Sequence, residues 1–507
     1  MVLSKEKKVV LYGAGQRTHN IYWALKKCGY EVIFCVVSND VKVEIFFEDL
    51  RVYSLKDKYK EILEQDYQIV LAVFQRYIAE ISDYLESFGI TKYWKTSELP
   101  WSCDFNVYEG LNEEEYLERI YAKNLVANRK KNNPIEKVFF LVQMVQPRAF
   151  KVIRALKTAG IQTECIIAID AYGLSDEKLL EFSRGCGEYK LCESTEEIMR
   201  RCYETDADVI HIFSEADSSI GRLQPIIKKK LIYPKIVFDE FDVVTEMYRE
   251  VPQKIKDVEL FCLEHADGIC HRGTEVDFLI EQGYDVCKKR IHFMDYCGDN
   301  QYYKSPQKDF EDELELVYVG GLLAGKAYED VRVNRILDYA NLCQENHCHL
   351  HVYPSSYDKA KMHEYIEMEE HNPYFHLHEP VPYEKLCEEI SKYDYGVFPA
   401  KKGFLEYAEK YGNYTKAQNI HSTTNKKFDY LEAGLPIITA TQVAESKVFE
   451  EEGILIRRTD EEIDFDELRR RRNEMKRKVV EVREKYRISN QIQRLIDFYN
   501  MLLREEG

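Results

Sequence analysis

Asn425 to Ala440 reads NKKFDYLEAGLPIITA, and its residue types and spacing are those of half a nucleotide site. Asn425 can cap a helix in which Phe428 and Leu431 share one face, and Gly434 with Pro436 ends it before the β-branched run Ile437, Ile438, Thr439. A helix start offers unpaired N–H groups and partial positive charge, which suit a diphosphate. Asp429, at i+4 from Asn425, projects a carboxylate that could accept both hydroxyls of a ribose. The plainer reading is an acid that is solvated or ion-paired on its helix. Upstream, Leu314 to Gly321 (LELVYVGG) is an apolar strand running into a glycine pair, with Lys326 shortly after it. Backbone without side chains allows close approach to a phosphate, and a lysine supplies a compact charge.

These segments resemble the GT-B glycosyltransferases, in particular the retaining, sugar-nucleotide-dependent branch (the glycosyltransferase group 1, or family 4-like, superfamily). There a segment of the type N-K-x-x-E-Y-x-x-x-G-x-P places a ribose-binding acid five residues before the glycine, which corresponds to Asp429 here. Glu432 is out of register and is the second choice. Many relatives carry another glutamate eight residues upstream of the first acid, where this chain has His421, and an arginine after the first glycine, where it has Gly321. The resemblance therefore implies donor binding by Gly320, Gly321, His378, Asn425, Lys426, Asp429 and Glu432, with Lys326 as the main cation on the diphosphate. His349 to Tyr353, Phe375 to Asp394 and Tyr395 to Pro399 follow in the family's order, and the turn His378 to Val381 corresponds to the one under the nucleobase.

The middle of the chain reads as a βαβ series: Lys137 to Val145, a helix opened by Pro147, then strands at Glu164 to Ile169, Asp208 to Phe213 and Lys235 to Asp239. The last ends in the acids Asp239, Glu240 and Asp242. His271 and Arg272 follow the short strand Gly268 to Cys270, where ligands collect in open α/β sheets. Arg272 is a candidate acceptor or phosphate contact, or half of a surface His-Arg pair. Asp242 and His271 are the candidate bases, beside Lys326 as the catalytic cation. Near the N-terminus, Val9 to Gly15 enters a glycine turn followed by a helix and a strand reaching Asp40, the layout of a dinucleotide fingerprint. Gly13 and Gly15 are present, but Thr18 takes the third glycine position, so a structural or regulatory nucleotide-like ligand is expected there rather than hydride transfer.

The expected architecture is α/β with three Rossmann-like units: residues 1–105, a helical linker 106–135, an acceptor domain 136–305, and a donor domain 306–507 whose last helix, with its stripe Ile488, Ile492, Leu495, Ile496, Tyr499 and Leu502, crosses back. A chain of 507 residues is long enough for these cores. Its net charge of −18 argues against nucleic-acid binding. The 14 cysteines form no tight framework and read as reduced thiols of a cytoplasmic protein. Cys343, His347, Cys348, His349 and His351 have poor spacing for zinc, so no metal site is expected. The start lacks a secretory signal, and no run has the roughly 20 apolar residues that span a bilayer. Arg469 to Lys478 (RRRRNEMKRK) is either a peripheral contact to anionic headgroups or a solvated helix face. The expected activity is transfer of a sugar from a nucleotide-diphosphate-sugar to a glycan or lipid-linked acceptor, with no cofactor. A non-catalytic nucleotide-sugar scaffold or sensor and an NAD-dependent oxidoreductase or epimerase are the alternatives.

Overall fold

The computed structural model describes residues 3–14, 18, 21–22, 25–26, 29–38, 41, 45–47, 49–73, 78–95, 134–172, 184, 187–192, 198, 201–202, 205–214, 234–240, 242–251, 253–299, 306–322, 336–355, 362–403, 405–406, 415–441 and 443–504. Gly15, Asp40, Lys326 and nearly all of the linker 106–135 lie outside the described residues. The chain divides into two compact units, Met1–Leu125 with Glu193–Arg200, and Val126–Cys192 with Arg201–Gly507.

The first unit holds β1 (Val9–Tyr12), β2 (Val32–Val37), β3 (Ile45–Phe47), β4 (Leu50–Ser54), α1 (Leu55–Glu64), β5 (Gln68–Leu71), α2 (Ile78–Ser87) and β6 (Trp94–Lys95). Its sheet order is β3-β4-β2-β1-β5-β6, parallel except for the β3–β4 hairpin at the edge. The strand order reverses between β1 and β5, and Gly13 follows β1 there with φ +126°. A Cβ on Gly13 would press against the Thr18 hydroxyl and the Ala72 carbonyl, so the turn is tight by necessity.

The second unit contains two all-parallel sheets. One comprises β7 (Lys137–Met144), β8 (Gln162–Tyr172), β9 (Lys190–Cys192), β10 (Val209–Ser214), β11 (Lys235–Glu240), β12 (Gly268–His271) and β13 (Arg290–His292), in the order β13-β12-β11-β10-β7-β8-β9. Helices α3 (Pro147–Thr158), α4 (Gln253–His265) and α5 (Glu275–Glu281) pack on it. Central strands covered on both faces read as continuous apolar runs, as VFFLV in β7 does.

The other sheet comprises β14 (Leu314–Gly320), β15 (Cys348–Pro354), β16 (Phe375–Leu377), β17 (Tyr395–Phe398), β18 (Ile437–Thr439) and β19 (Leu455–Arg457), in the order β16-β15-β14-β17-β18-β19. Its helices are α6 (Ile336–Glu345), α7 (His363–His371), α8 (Tyr383–Ile390), α9 (Lys416–His421), α10 (Lys426–Glu432), α11 (Ala444–Glu451), α12 (Phe465–Val482) and α13 (Ile488–Arg504). Both sheets reverse direction once, at β7/β10 and at β14/β17, and ligands of open α/β sheets settle at such points. Helix α13 reaches the first of these sheets: Phe498 and Leu502 press on Gly268, and Asn500 Oδ1 accepts the Ile135 N–H at 2.8 Å.

The basic run on α12 divides between the core and solvent. Arg472 and Lys476 are buried, and both bind Asp394, at 3.3 and 2.8 Å. Arg472 also donates to the carbonyls of Asp309, Asp312 and Glu313, and Arg469 to those of Asn346 and His347. The acid before β17 and the carbonyls of the adjoining loop draw these three cations inward, while Arg470, Arg477 and Lys478 stay exposed, the solvated helix face expected of the run. Among the described residues, no helix is long and apolar enough to cross a membrane.

Candidate functional site

At the β14/β17 reversal, Gly320 ends β14 with φ +140°, and a Cβ there would collide with Nζ and Cε of Lys426. The ammonium thus lies directly over the glycine turn, 5.6 Å from the centroid of Tyr318, whose hydroxyl donates to the Gly321 carbonyl at 3.0 Å. Gly320→Ala combines backbone strain with this collision. It is expected to destabilise the fold by about 1–3 kcal/mol and to dislodge Lys426, which denaturant unfolding measures; an unchanged midpoint would mean that the lysine moves aside freely.

Asn425 corrects its expected role. It is already helical (φ −51°, ψ −36°) and makes no side-chain cap. Its amide, turned so that the nitrogen faces Asp295, instead donates to both oxygens of that buried carboxylate at 3.1 Å, while its helical backbone lacks the extended geometry from which a side-chain oxygen caps. One turn on, Asp429 is buried and accepts the Tyr383 hydroxyl at 2.7 Å. Burial raises its pKa, opposed by Lys151 and Tyr383. Glu432, on the same side of α10, accepts the Gly298 N–H at 2.6 Å and is likewise raised by burial, opposed by Lys151. Lys151 comes from α3, and with Arg154 it lines a narrow pocket against Tyr383, Cys387 and Glu432. Both acids therefore face the seam between the two sheets.

His378 follows β16 in a ladder of imidazoles. His349 Nδ1 meets His376 Nε2 at 2.8 Å, His351 Nδ1 meets His378 Nε2 at 3.0 Å, and Tyr353 stacks on His378 with centroids 4.3 Å apart. Burial and the neighbouring imidazoles push His351 down to about 2, while burial lowers His376 and His378. Histidines kept neutral in the fold but free to charge when unfolded give stability that is complete above the unfolded pKa and is lost as pH falls below it. Between about pH 6.5 and 5, His351 alone should remove about 2 kcal/mol. The carboxylates of Glu313, Glu315 and Glu369 facing the ladder temper this loss. A His351→Gln variant whose pH dependence matches that of the parent chain would refute the assignment.

On the opposite sheet, Arg148 is the second residue of α3 and is buried. It grips Asp239 with two nitrogens at 2.8 and 3.0 Å, the Met294 carbonyl at 2.9 Å and Asp295 at 3.3 Å. His211 donates from Nε2 to Asp239 at 3.0 Å and accepts from the Tyr499 hydroxyl of α13 at 2.6 Å, a tautomer required by the carboxylate. Arg272 joins Asp242 at 2.8 Å and Asp295 at 3.3 Å. His271 and Arg272 are both buried, which overturns the surface-pair alternative. His271 Nδ1–H donates to the Gly273 carbonyl at 3.0 Å, leaving Nε2 as an acceptor, and burial pushes its pKa down to about 4.

The structure therefore brings Gly320, Gly321 and Lys426 together, sets Asp429 and Glu432 on one side of α10, and links Asn425 through Asp295 to Arg272 and Asp242. Sequence reasoning missed Arg148, Lys151, Asp295 and Tyr383. Arg148 sits next to the helix-opening Pro147, a detectable position, but its partner acids are distant in sequence. Among the described residues, no group of three or more His, Cys, Asp or Glu is arranged to hold a metal.

Two parallel sheets of this connectivity, each with one reversal of strand order between central strands and tied by a returning C-terminal helix, are the GT-B glycosyltransferase fold, with a further Rossmann-like unit before them. Two solved structures with which it aligns are the pneumococcal O-GlcNAc transferase GtfA in complex with UDP and GlcNAc, at 8% identity and TM-score 0.50, covering 73% of this chain and 100% of that one, and the sucrose-phosphate synthase of Thermosynechococcus elongatus, at 13% identity and TM-score 0.51, covering 72% and 99%. No protein family and no curated protein matches the sequence.

Proposed function

We propose that this chain is a glycosyltransferase that moves a sugar from a nucleotide-diphosphate-sugar to a hydroxyl of a glycan or lipid-linked acceptor, in surface polysaccharide biosynthesis. The observation that carries the reading is the Lys426 ammonium lying over the Gly320 turn at the β14/β17 reversal, with the Asp429 carboxylate further along the same helix and within the field of that ammonium. Glycine backbone and lysine suit the diphosphate, and Asp429 suits ribose hydroxyls. As the glycosidic bond opens, negative charge builds on the leaving diphosphate. Cations fixed beforehand lower that barrier without a metal; Lys326 is the main cation in this reading, and Lys426 at the glycine turn joins it. Tyr383 orients Asp429. Asp242 is pinned by Arg272, so His271 Nε2, a neutral acceptor, is the better base for the incoming hydroxyl. Retention at the anomeric carbon belongs to this proposal.

A thermal-shift screen with UDP, GDP, CDP and ADP sugars tests it. UDP sugars come first because the pneumococcal transferase was solved with UDP. Stabilisation by one nucleotide class, followed by sugar release or transfer, is the expected outcome; no shift with any of them refutes donor binding. A binding protein without turnover is the second reading, favoured by His421, which stands where relatives keep an acid and is engaged with Thr274 at 2.9 Å. Binding without turnover across the panel would select it.

A further inference from the structure

The C-terminal ends of β11 and β12 hold more carboxylates than the cations there can pair. Glu259 of α4 is satisfied, taking the N–H groups of Val244 and Thr245 at 2.8 and 2.7 Å. Glu240 is buried, and neither of its carboxylate oxygens has a hydrogen-bond partner among the described residues. Glu275, the first residue of α5, is 4% exposed, and its Oε1 is equally without one. Arg272, the nearest cation, is already shared between Asp242 and Asp295. Burial pushes Glu275 up to about 8, with Arg272 opposing.

Glu275 also lies where the two sheets' segments meet. The Ser422 hydroxyl reaches it from the chain leading into Asn425 and Lys426. Beside it, the Thr274 N–H donates to the His421 carbonyl at 3.0 Å, the Thr274 hydroxyl meets His421 Nδ1, and His421 stacks on Phe278 with centroids 4.5 Å apart. Gly273 must be glycine for this approach, since a Cβ there would strike both Glu275 Oε2 and the His421 carbonyl. The side chain at position 421 is thus taken up in joining the halves. The unsatisfied oxygen at this seam belongs to the residue facing it.

We propose that Glu275 is a further substrate ligand, whose Oε1 hydrogen-bonds a hydroxyl of the sugar being transferred. This rests on the donor reading above. A carboxylic acid kept neutral suits the position, because it can bind a hydroxyl without repelling a diphosphate held at Lys426. Ionisation would set a charge beside Asp242 and Glu240, opposed among the described cations by Arg272, while the Ser422 hydroxyl reaches it from the other half.

The test compares Glu275→Gln and Glu275→Ala with the full-length parent chain, using UDP-glucose, UDP-N-acetylglucosamine, GDP-mannose and ADP-glucose as donors and UDP, GDP and ADP as sugar-free controls. For the donor used, Glu275→Ala should lose about tenfold or more in kcat/KM, while affinity for the sugar-free nucleotide stays within about twofold. Glu275→Gln, which keeps a neutral hydrogen-bonding group, should restore most of the activity. Parent activity should decline above about pH 8 as the acid ionises, and the Gln variant should not share that decline. Unchanged kcat/KM in a folded Glu275→Ala, an equal loss of affinity for the sugar-free nucleotide, or identical pH profiles for the parent and Glu275→Gln overturns the proposal. If Glu275→Ala fails to fold, the pH profiles of the other two proteins decide. Binding of no donor and no control by the parent overturns the donor reading itself, whereas binding of the controls with no sugar-dependent difference between parent and variants overturns only the role of Glu275.

Discussion

Arg148→Met should destabilise the second unit by about 3–5 kcal/mol, the loss expected when one partner of a buried ion network is removed and the others remain. Methionine roughly fills the volume, so the effect isolates charge. Among the described side chains it would leave Asp239 with His211 and the Cys270 thiol, and His211 is held neutral by burial. Asp295 would keep Arg272 and Asn425 but lose its tie to α3. The pH dependence has a definite sign. Burial pushes the Asp239 pKa up, but Arg148 and His211 outweigh it and hold it down at about 2. A carboxyl depressed in the fold contributes stability that is present above its unfolded value of about 3.9 and is lost as pH falls towards the folded value. The parent chain should therefore lose stability between about pH 4 and 2, and Arg148→Met should lose less over that window. Denaturant unfolding followed by circular dichroism at neutral and acid pH reads both. A neutral-pH loss below about 1 kcal/mol would show that the network adds little.

The residues involved explain what could be read in advance. Strands such as β7, β10, β11 and β14 were legible because covered parallel strands are apolar along their length and end at glycine, proline or acid. The returning helix α13 was legible because one stripe of it is apolar. Short edge elements were not: β3, β6, β13 and β19 are two or three residues long and carry no periodicity. At the site, Gly320 and Lys426 were legible as a type of local turn and terminus. The partners of Arg148, Arg472 and Asn425 lie 91, 78 and 130 residues away, at Asp239, Asp394 and Asp295, and local spacing contains no trace of such pairs. Asn425 shows the consequence. Its residue type fits a helix cap, yet a buried carboxylate from the other half competes for the amide and wins. The same competition draws Arg472 and Lys476 of α12 inward to Asp394.

Asp429→Asn should weaken nucleotide binding by about tenfold to a hundredfold, the range for hydrogen bonds to a charged group, while the fold survives. The side chain is buried beneath Tyr383 and beside Lys151, so it is positioned before any ligand arrives. Asparagine preserves its shape and one accepting oxygen, which the Tyr383 hydroxyl can keep, but gives up the charge and the second acceptor that a pair of ribose hydroxyls would use. Glu432→Gln is the control. Glu432 shares the burial and the Lys151 field, but its carboxylate is engaged with the Gly298 N–H at the chain crossing, so its substitution should touch stability more than affinity. Calorimetric titration with the nucleotide selected by the thermal screen separates the two. Equal affinity in the parent chain and Asp429→Asn would remove Asp429 from the ribose. A larger loss of affinity in Glu432→Gln would move the ribose-binding role one turn along α10.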